Sequence, residues 1–372
     1  MIVIKEVKTK IDGWKFTEFP NKIYKNVEAF VPALSIDERT VFHQKKNPAH
    51  AYCESIRFLA YKDNKIVGRI AGIINHAWND AYKRKTARFT RIDMIDDINV
   101  TKALIDQVTT WAKDKGMNEL IGPIGFTDLD RQGMLVDGFD ELNMFITIYN
   151  FPYYHKHLEQ LGFIKDVDWI EKKIMWPTSV PEKISRGARI CRERYGYKLI
   201  KLKKKKEIKT YIYEAFNVYN EAFMELYGFY PVTDKVMDYY IEQTLMIVQL
   251  DYLWFVLDKN DKVAGFAVLM PSLAKANKKS NGKLFPFGIF RLLKSLKKHD
   301  VVDFYFVAVD PRHQNKAMMA LFMEDACKVG IKNGVKYAET GPELEDNMAI
   351  QNQWKDFEYI NHKRRRCYIK KI

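Results

Sequence analysis

Cysteine is scarce in this 372-residue chain: Cys53, Cys191, Cys327 and Cys367 are widely scattered with no Cys-x-x-Cys spacing. That excludes a zinc ribbon and a disulfide framework, and reduced, structural thiols are expected. No apolar run approaches the length needed to span a bilayer. The opening Met1-Ile2-Val3-Ile4-Lys5-Glu6 alternates like a strand and lacks the charged head and cleavage site of a secretory signal, so a cytoplasmic location is the simplest expectation. Gly-x-Gly-x-x-Gly, Gly-x-x-x-x-Gly-Lys-Ser/Thr and Gly-x-Ser-x-Gly are all missing. With them go the dinucleotide fingerprint, the phosphate-cradling loop and the hydrolase elbow.

What is present is a repetition. Phe58-Leu59-Ala60-Tyr61 through Lys65-Ile66-Val67-Gly68-Arg69-Ile70-Ala71-Gly72 reads as two apolar strands around a polar turn, and Trp254-Phe255-Val256-Leu257 through Lys262-Val263-Ala264-Gly265-Phe266-Ala267 repeats it. Further along, Lys115-Gly116 closes a helix before Leu120-Ile121-Gly122-Pro123, and Asn333-Gly334 precedes Tyr337-Ala338-Glu339-Thr340-Gly341-Pro342. The same order in each half argues for two copies of one fold, with domains at 1–180 and 181–372. A hydrophobic fraction of 47% with 14% aromatics suits two packed cores.

Positive charge is concentrated. Residues 183–209 hold twelve Lys/Arg against two acids, residues 275–298 eight against none, and residues 361–372 six against none. Those segments carry +24 of a chain whose net charge is +14, which leaves the rest at −10. Such focusing attracts anions, whereas a solvated linker is the plainer account of the Lys203–Lys206 run. Ile289, Leu292, Leu293 and Leu296, with Arg291, Lys294, Lys297 and Lys298 opposite, form a basic amphipathic helix. It is expected to pack on its own domain, with a membrane-surface contact as the alternative.

Periodicity predicts strands over 2–8, 87–94, 118–124, 197–202, 301–309 and 335–341. Helices are predicted over 152–161, 182–195, 207–226, 234–248 and 316–333, with one more capped by Asn99 and stopped by Gly116. A strand pair is expected to end each half. The order indicates an α/β (α+β) fold whose mixed, largely antiparallel sheets are flanked by helices, not a doubly wound one. His155 and His157 do not share a helical face, so they are read as surface residues and no metal is expected.

Asp303-Phe304-Tyr305-Phe306-Val307-Ala308-Val309 followed by Asp310-Pro311-Arg312-His313-Gln314-Asn315-Lys316-Ala317-Met318-Met319 resembles the acyl-CoA motif of the Gcn5-related N-acetyltransferases, Val-x-Pro-x-x-Gln/Arg-x-x-Gly-x-Gly/Ala. The whole chain is similar to a group of bacterial tandem-domain proteins of that kind, through Gly133–Asp140, Tyr149–Tyr154, Tyr219–Phe223, Leu284–Gly288 and Leu344–Asn347. The resemblance implies acetyl-CoA or another acyl-CoA as cofactor in the second half. Pantetheine would lie along Val307 and Val309, and phosphates near Arg312, Gln314, Asn315, Lys316, Ala317 and Met318. It further implies Glu339 or Glu345 as base, and Asn347 as pantetheine ligand or helix cap.

There are departures from the motif. Ala317 and Met319 stand where the family has glycines, and Trp354 and Phe357 stand nearest the place of its acidic tyrosine. The first half has Leu158 there, and Thr90–Asn99 in place of the acyl-CoA motif, so it is expected to hold no CoA. The reading is an acyl-CoA-dependent N-acyltransferase acting in the second half on a small-molecule amine or peptide. The alternatives are a non-catalytic binder of small molecules or anions, and a transferase using aminoacyl-tRNA, with the basic linker contacting nucleic acid.

Overall fold

The computed structural model describes residues 1–372. The chain divides into two compact units, one of residues 1–170, 274–291 and 362–372, the other of 171–273 and 292–361. In chain order the elements begin β1 (Ile2–Glu6), α1 (Lys10–Ile23), α2 (Ser35–Val41), β2 (Cys53–Lys62), β3 (Lys65–Asn75), α3 (His76–Tyr82) and β4 (Thr86–Met94). There follow α4 (Ile98–Asp114), β5 (Glu119–Gly122), β6 (Met134–Asp137), α5 (Tyr153–Gln160) and β7 (Ile164–Met175). The second half continues with α6 (Glu182–Tyr195), β8 (Lys198–Ile200), α7 (Ile208–Phe223), α8 (Asp234–Ile247), β9 (Leu253–Leu257) and β10 (Val263–Pro271). It closes with α9 (Ala274–Lys279), α10 (Gly288–Lys297), β11 (Val301–Val309), α11 (Met318–Asn333), β12 (Tyr337–Thr340), β13 (Glu343–Leu344), α12 (Met348–Gln353) and β14 (Tyr359–Lys371).

Local chemistry accounts for the repeated hairpin and helix. Asp63 and Asn64 adopt φ of 50° and 61°, the left-handed pair that a tight β2–β3 turn requires. In α4, Val100, Leu104 and Val108 line the buried face. Its cap is Asp97, whose side chain accepts from the Asn99 amide, so the expected cap lies two residues too late. Gly116, at φ 77°, follows its end.

The first unit's strands run in the order β1-β2-β3-β4-β5-β14, and the second unit's run β8-β9-β10-β11-β12-β7. Each order is antiparallel except at one pair, β4–β5 and β11–β12, which is parallel. Both also carry an irregularity in the same place, between β3 and β4 and between β10 and β11. The last strand of each sheet comes from the other half of the sequence: Tyr368–Lys371 pair with Gly122–Glu119, and Lys173–Met175 pair with Glu339–Tyr337. The strand pair expected at the end of each half is therefore replaced by one long strand of 12 or 13 residues.

Separate cores support the two units. In the first unit, α4 packs Leu104, Ile105 and Val108 with Phe58, Ile70 and Phe89. In the second, Trp254, Val256, Val302, Leu321 and Trp354 share one cluster. All four cysteines are buried and free. Burial pushes the thiols of Cys53 and Cys327 up to about 12 and that of Cys191 up to about 11, so they are poor nucleophiles. The two histidines of α5 are not surface residues as expected. His157 is buried, hydrogen-bonded to Thr101 at 2.8 Å, and His155 stacks on Phe139.

Candidate active site

β12 accompanies β11 only from Val301 to Phe304. Tyr305–Val309 continue with β10 on one side, and among the described residues no strand pairs with them on the other. The two parallel strands thus form a fork. An open strand edge offers main-chain groups to an extended ligand, as an added strand would use them. Val307 and Val309 lie on this edge, half-buried against the second core.

The fork leads into a sharp turn. Asp310 accepts from the Arg312 amide at 2.8 Å, a single 3-10 turn spans Pro311–His313, and Asn315 and Ala317 adopt φ of 60° and 57°. Ala317 then opens the 16-residue α11 with no side-chain cap; the Ala320 amide donates back to the Ala317 carbonyl at 2.9 Å, and the start of a long helix presents its positive end to an anion. Alanine thus occupies a left-handed position that glycine would fill without strain, which explains the glycine in the family motif. Gln314 and Asn315 are exposed beside it, and the Lys316 ammonium donates to the Arg312 carbonyl at 3.1 Å.

Two of the residues expected to serve a cofactor are otherwise engaged. Arg312 forks onto Asp310 at 2.9 and 2.5 Å and reaches Glu221 at 3.5 Å, and its hydrogen bonds hold the Asp310 carboxyl below its usual range. A phosphate would have to share that guanidinium. Met318 turns its side chain into the core, where its sulfur closes the space beside Gly265, so only its main chain could meet a ligand. Met319 is half-buried against the same core.

The two carboxylates expected as base lie on β12 and just after β13. Glu339 is buried within the paired part of the fork, its oxygen within 4.8 Å of one from Glu171. Glu345 lies in the loop after β13, half-buried. Asn347 caps α12, accepting from the Ile350 amide at 3.3 Å, which is the structural role weighed for it.

Between Glu339 and Glu345 stands a residue that sequence reasoning passed over. Glu343 accepts from the Trp354 indole at 2.8 Å and from the Lys172 ammonium at 3.2 Å. Lys172 is itself buried, also bonds Gln351, and sends its amide to the Thr340 hydroxyl at 2.9 Å. Burial pushes the Glu343 carboxyl up to about 7, with Lys172 and Trp354 opposing the rise. The Trp354 ring packs edge-on to Phe304, 4.9 Å away, the last β11 residue paired with β12. A carboxylate poised near neutrality therefore sits beside the fork's apex. Its sequence signal was its place directly after Gly341-Pro342, where the first copy has Ile124 after Gly122-Pro123.

The first unit has the same fork, and its own chain closes it. β5 follows β4 only through Arg88. Beyond that point the Ile124 amide donates to the Phe89 carbonyl at 3.0 Å. The Tyr154 hydroxyl accepts from the Met94 amide at 2.9 Å, and the Tyr153 hydroxyl donates to the Met94 carbonyl at 2.7 Å. Both ends of the strand edge are thus occupied by protein.

This geometry matches solved proteins. The fold is that of the Gcn5-related N-acetyltransferases in tandem: over 100% of this chain and 98% of the other, it superposes on a tandem GNAT protein from the clavulanic acid biosynthesis pathway with a TM-score of 0.56 and 13% identity. No family model matches the chain. Among curated proteins it is similar to Protein YghO of Escherichia coli (strain K12), 26% identical over 98% of this chain and 94% of that protein. It is also similar to the bacterial ceramide synthase of Caulobacter vibrioides, 24% identical over 78% of this chain and 75% of that one. Among the described residues, no helix is long and apolar enough to cross a membrane.

Proposed function

We propose that the protein is an acyl-CoA-dependent N-acyltransferase whose chemistry is carried by the second copy of the fold, residues 181–372, while the first copy, 1–180, is a degenerate partner. The observation that carries this reading is Glu343, a largely buried carboxyl raised to about 7 near the apex of an open fork. Val307 and Val309 would align the pantetheine, and the α11 amides with Lys316 would receive the phosphates. Bound acyl-CoA supplies an activated carbonyl and a thiolate leaving group. Glu343 would take the proton from the acceptor amine as it attacks that carbonyl, and would hold it on its carboxyl for return to the thiolate as coenzyme A leaves. Trp354 stands nearest the place of the family's tyrosine, and an indole N–H can orient a carboxylate but cannot protonate a thiolate. One carboxyl therefore serves as base and then acid. Glu339 and Glu345 are retained as the second and third candidates for the base.

The acceptor class follows from the likeness to a ceramide synthase, whose product is an amide of a long-chain amino alcohol. We assign this chain a lipid-like primary amine as acceptor, ahead of a peptide or aminoacyl-tRNA. The test is thiol release from acetyl- and long-chain acyl-CoAs with a panel of long-chain amines, peptides and aminoacyl-tRNA, comparing the native chain with Glu343→Gln. Release with long-chain amines, lost in the variant by about a hundredfold or more, supports the reading. Thermal shifts that show no CoA binding at all would overturn it.

A second reading rests on the first unit, where a narrow cavity of about 40 Å³ is lined by Arg69, Arg91, Arg131, Glu38, Asp93 and Tyr24. There a degenerate scaffold would bind a small anion without turnover. Ligand-induced stabilisation that Arg131→Ala abolishes, in a protein inert toward acyl-CoA, would favour it.

A further inference from the structure

Phe285, Phe287 and Phe290 are 77%, 64% and 67% exposed. Three neighbouring aromatic rings in water are not ordinary surface composition for a soluble unit. The segment that carries them is tied down within the first unit. Asn277 donates to the Pro32 carbonyl, Lys278 pairs with Glu28 at 2.7 Å, the Ser35 amide donates to the Gly282 carbonyl at 2.9 Å, and Arg291 donates to the Lys279 carbonyl at 3.0 Å. The rings are thus held out by an anchored stretch.

Their surroundings are basic. Phe285 and Ile36 line a groove of about 410 Å³ whose polar walls include Arg39, His43, Lys46 and Lys283. Residues 275–291, the part of this segment that belongs to the first unit, bring five cations and no acid. In α10 the apolar positions divide: Leu292 and Leu296 are buried, whereas Phe290 faces solvent beside Arg291. The outward side of this segment therefore presents rings and cations together. A second copy of the same face is disfavoured as occupant, because it would bring five like charges against five.

We propose that this face of the first unit docks on the surface of a bilayer containing anionic phospholipids. The phenylalanine rings enter the boundary between headgroups and acyl chains, and the Lys and Arg side chains meet lipid phosphates, one of them in the groove beside Phe285. Docking there does not require the acyl-transfer reading, and it is measured without CoA or amine, so the two can fail separately.

The experiment is sedimentation of the full chain with large vesicles of phosphatidylcholine, with and without about one third phosphatidylglycerol. The native protein is expected to sediment with the anionic vesicles, to remain in solution with neutral ones, and to be released by about 0.5 M salt. The variant Phe285→Ser/Phe287→Ser/Phe290→Ser should lose about tenfold or more of its vesicle affinity while keeping the native melting temperature. If that variant fails to fold, Lys283→Glu/Arg291→Glu provides the same comparison through charge. Equal binding to neutral vesicles, binding unchanged in the folded variants, or ring-dependent self-association in sedimentation velocity without vesicles would each overturn the proposal.

Discussion

Trp354 holds Glu343 by an indole N–H at 2.8 Å while its ring lies edge-on to Phe304 at 4.9 Å, so one side chain ties a perturbed carboxyl to the point where β11 parts from β12. Aromatic packing fixes the ring, and the ring fixes the acid.

The Glu343 carboxyl, raised from 4.5 to about 7, makes stability fall as pH rises. Between those values the folded state keeps a proton that the unfolded chain gives up, so this contribution is full below pH 4.5 and is lost through pH 7. The whole effect is about 3 kcal/mol at most. Urea unfolding at a series of pH values should show this slope in the native protein and none of it in Glu343→Gln. The acyl-transfer rate should rise with pH through the same interval.

Glu38 should act in the opposite sense. Burial would raise its pKa, but Arg91, at 3.1 and 3.2 Å, with Arg131 and Arg69, brings it down to about 2. Its stabilisation is complete above pH 4.5 and disappears as pH falls toward 2. Glu38→Gln should remove this acid limb and, by removing the charge that offsets the buried Arg91 guanidinium, cost about 3 kcal/mol near neutrality, as read by denaturant unfolding.

At Ala317, φ of 57° puts a side chain in the left-handed region at the head of α11. Relief of that strain exceeds the entropy cost of glycine, and Ala317→Gly should stabilise the chain by about 0.5–1 kcal/mol. Unfolding midpoints would show it, with CoA affinity held or improved.

Met319 is half-buried against the second core, so Met319→Gly should remove packing and helix propensity together, costing about 2 kcal/mol. Isothermal titration should find CoA affinity unchanged. A gain in affinity with little loss of stability would mean that the natural side chain obstructs the phosphate path and would count against an acyl-CoA enzyme.

Closure of the first fork can be tested at Tyr154, whose hydroxyl accepts from the Met94 amide and from Tyr24 at 2.8 Å. Tyr154→Phe strands buried donors and should cost about 1–3 kcal/mol in urea unfolding. CoA binding should not change, since the open fork lies in the other unit.

Much of the fold was legible in the residues. The repeated hairpins, the glycines that stop α4 and α11, and the limits of β11 and α6 all follow from local pattern, because period and turn chemistry act within a few residues. Strand exchange was decided elsewhere. Alternation in β7 and β14 shows that a face is buried but not which neighbour covers it, and the partners Tyr337–Glu339 and Glu119–Gly122 lie more than a hundred residues away. The site divides the same way. The turn from Asp310 to Met318 could be read because its parts are consecutive. Glu343 could not, because its raised pKa comes from burial, set against the opposing charge of Lys172, 171 residues distant. Periodicity is a property of neighbours along the chain, whereas desolvation belongs to whatever the folded chain brings against a group, and only the tertiary structure contains that.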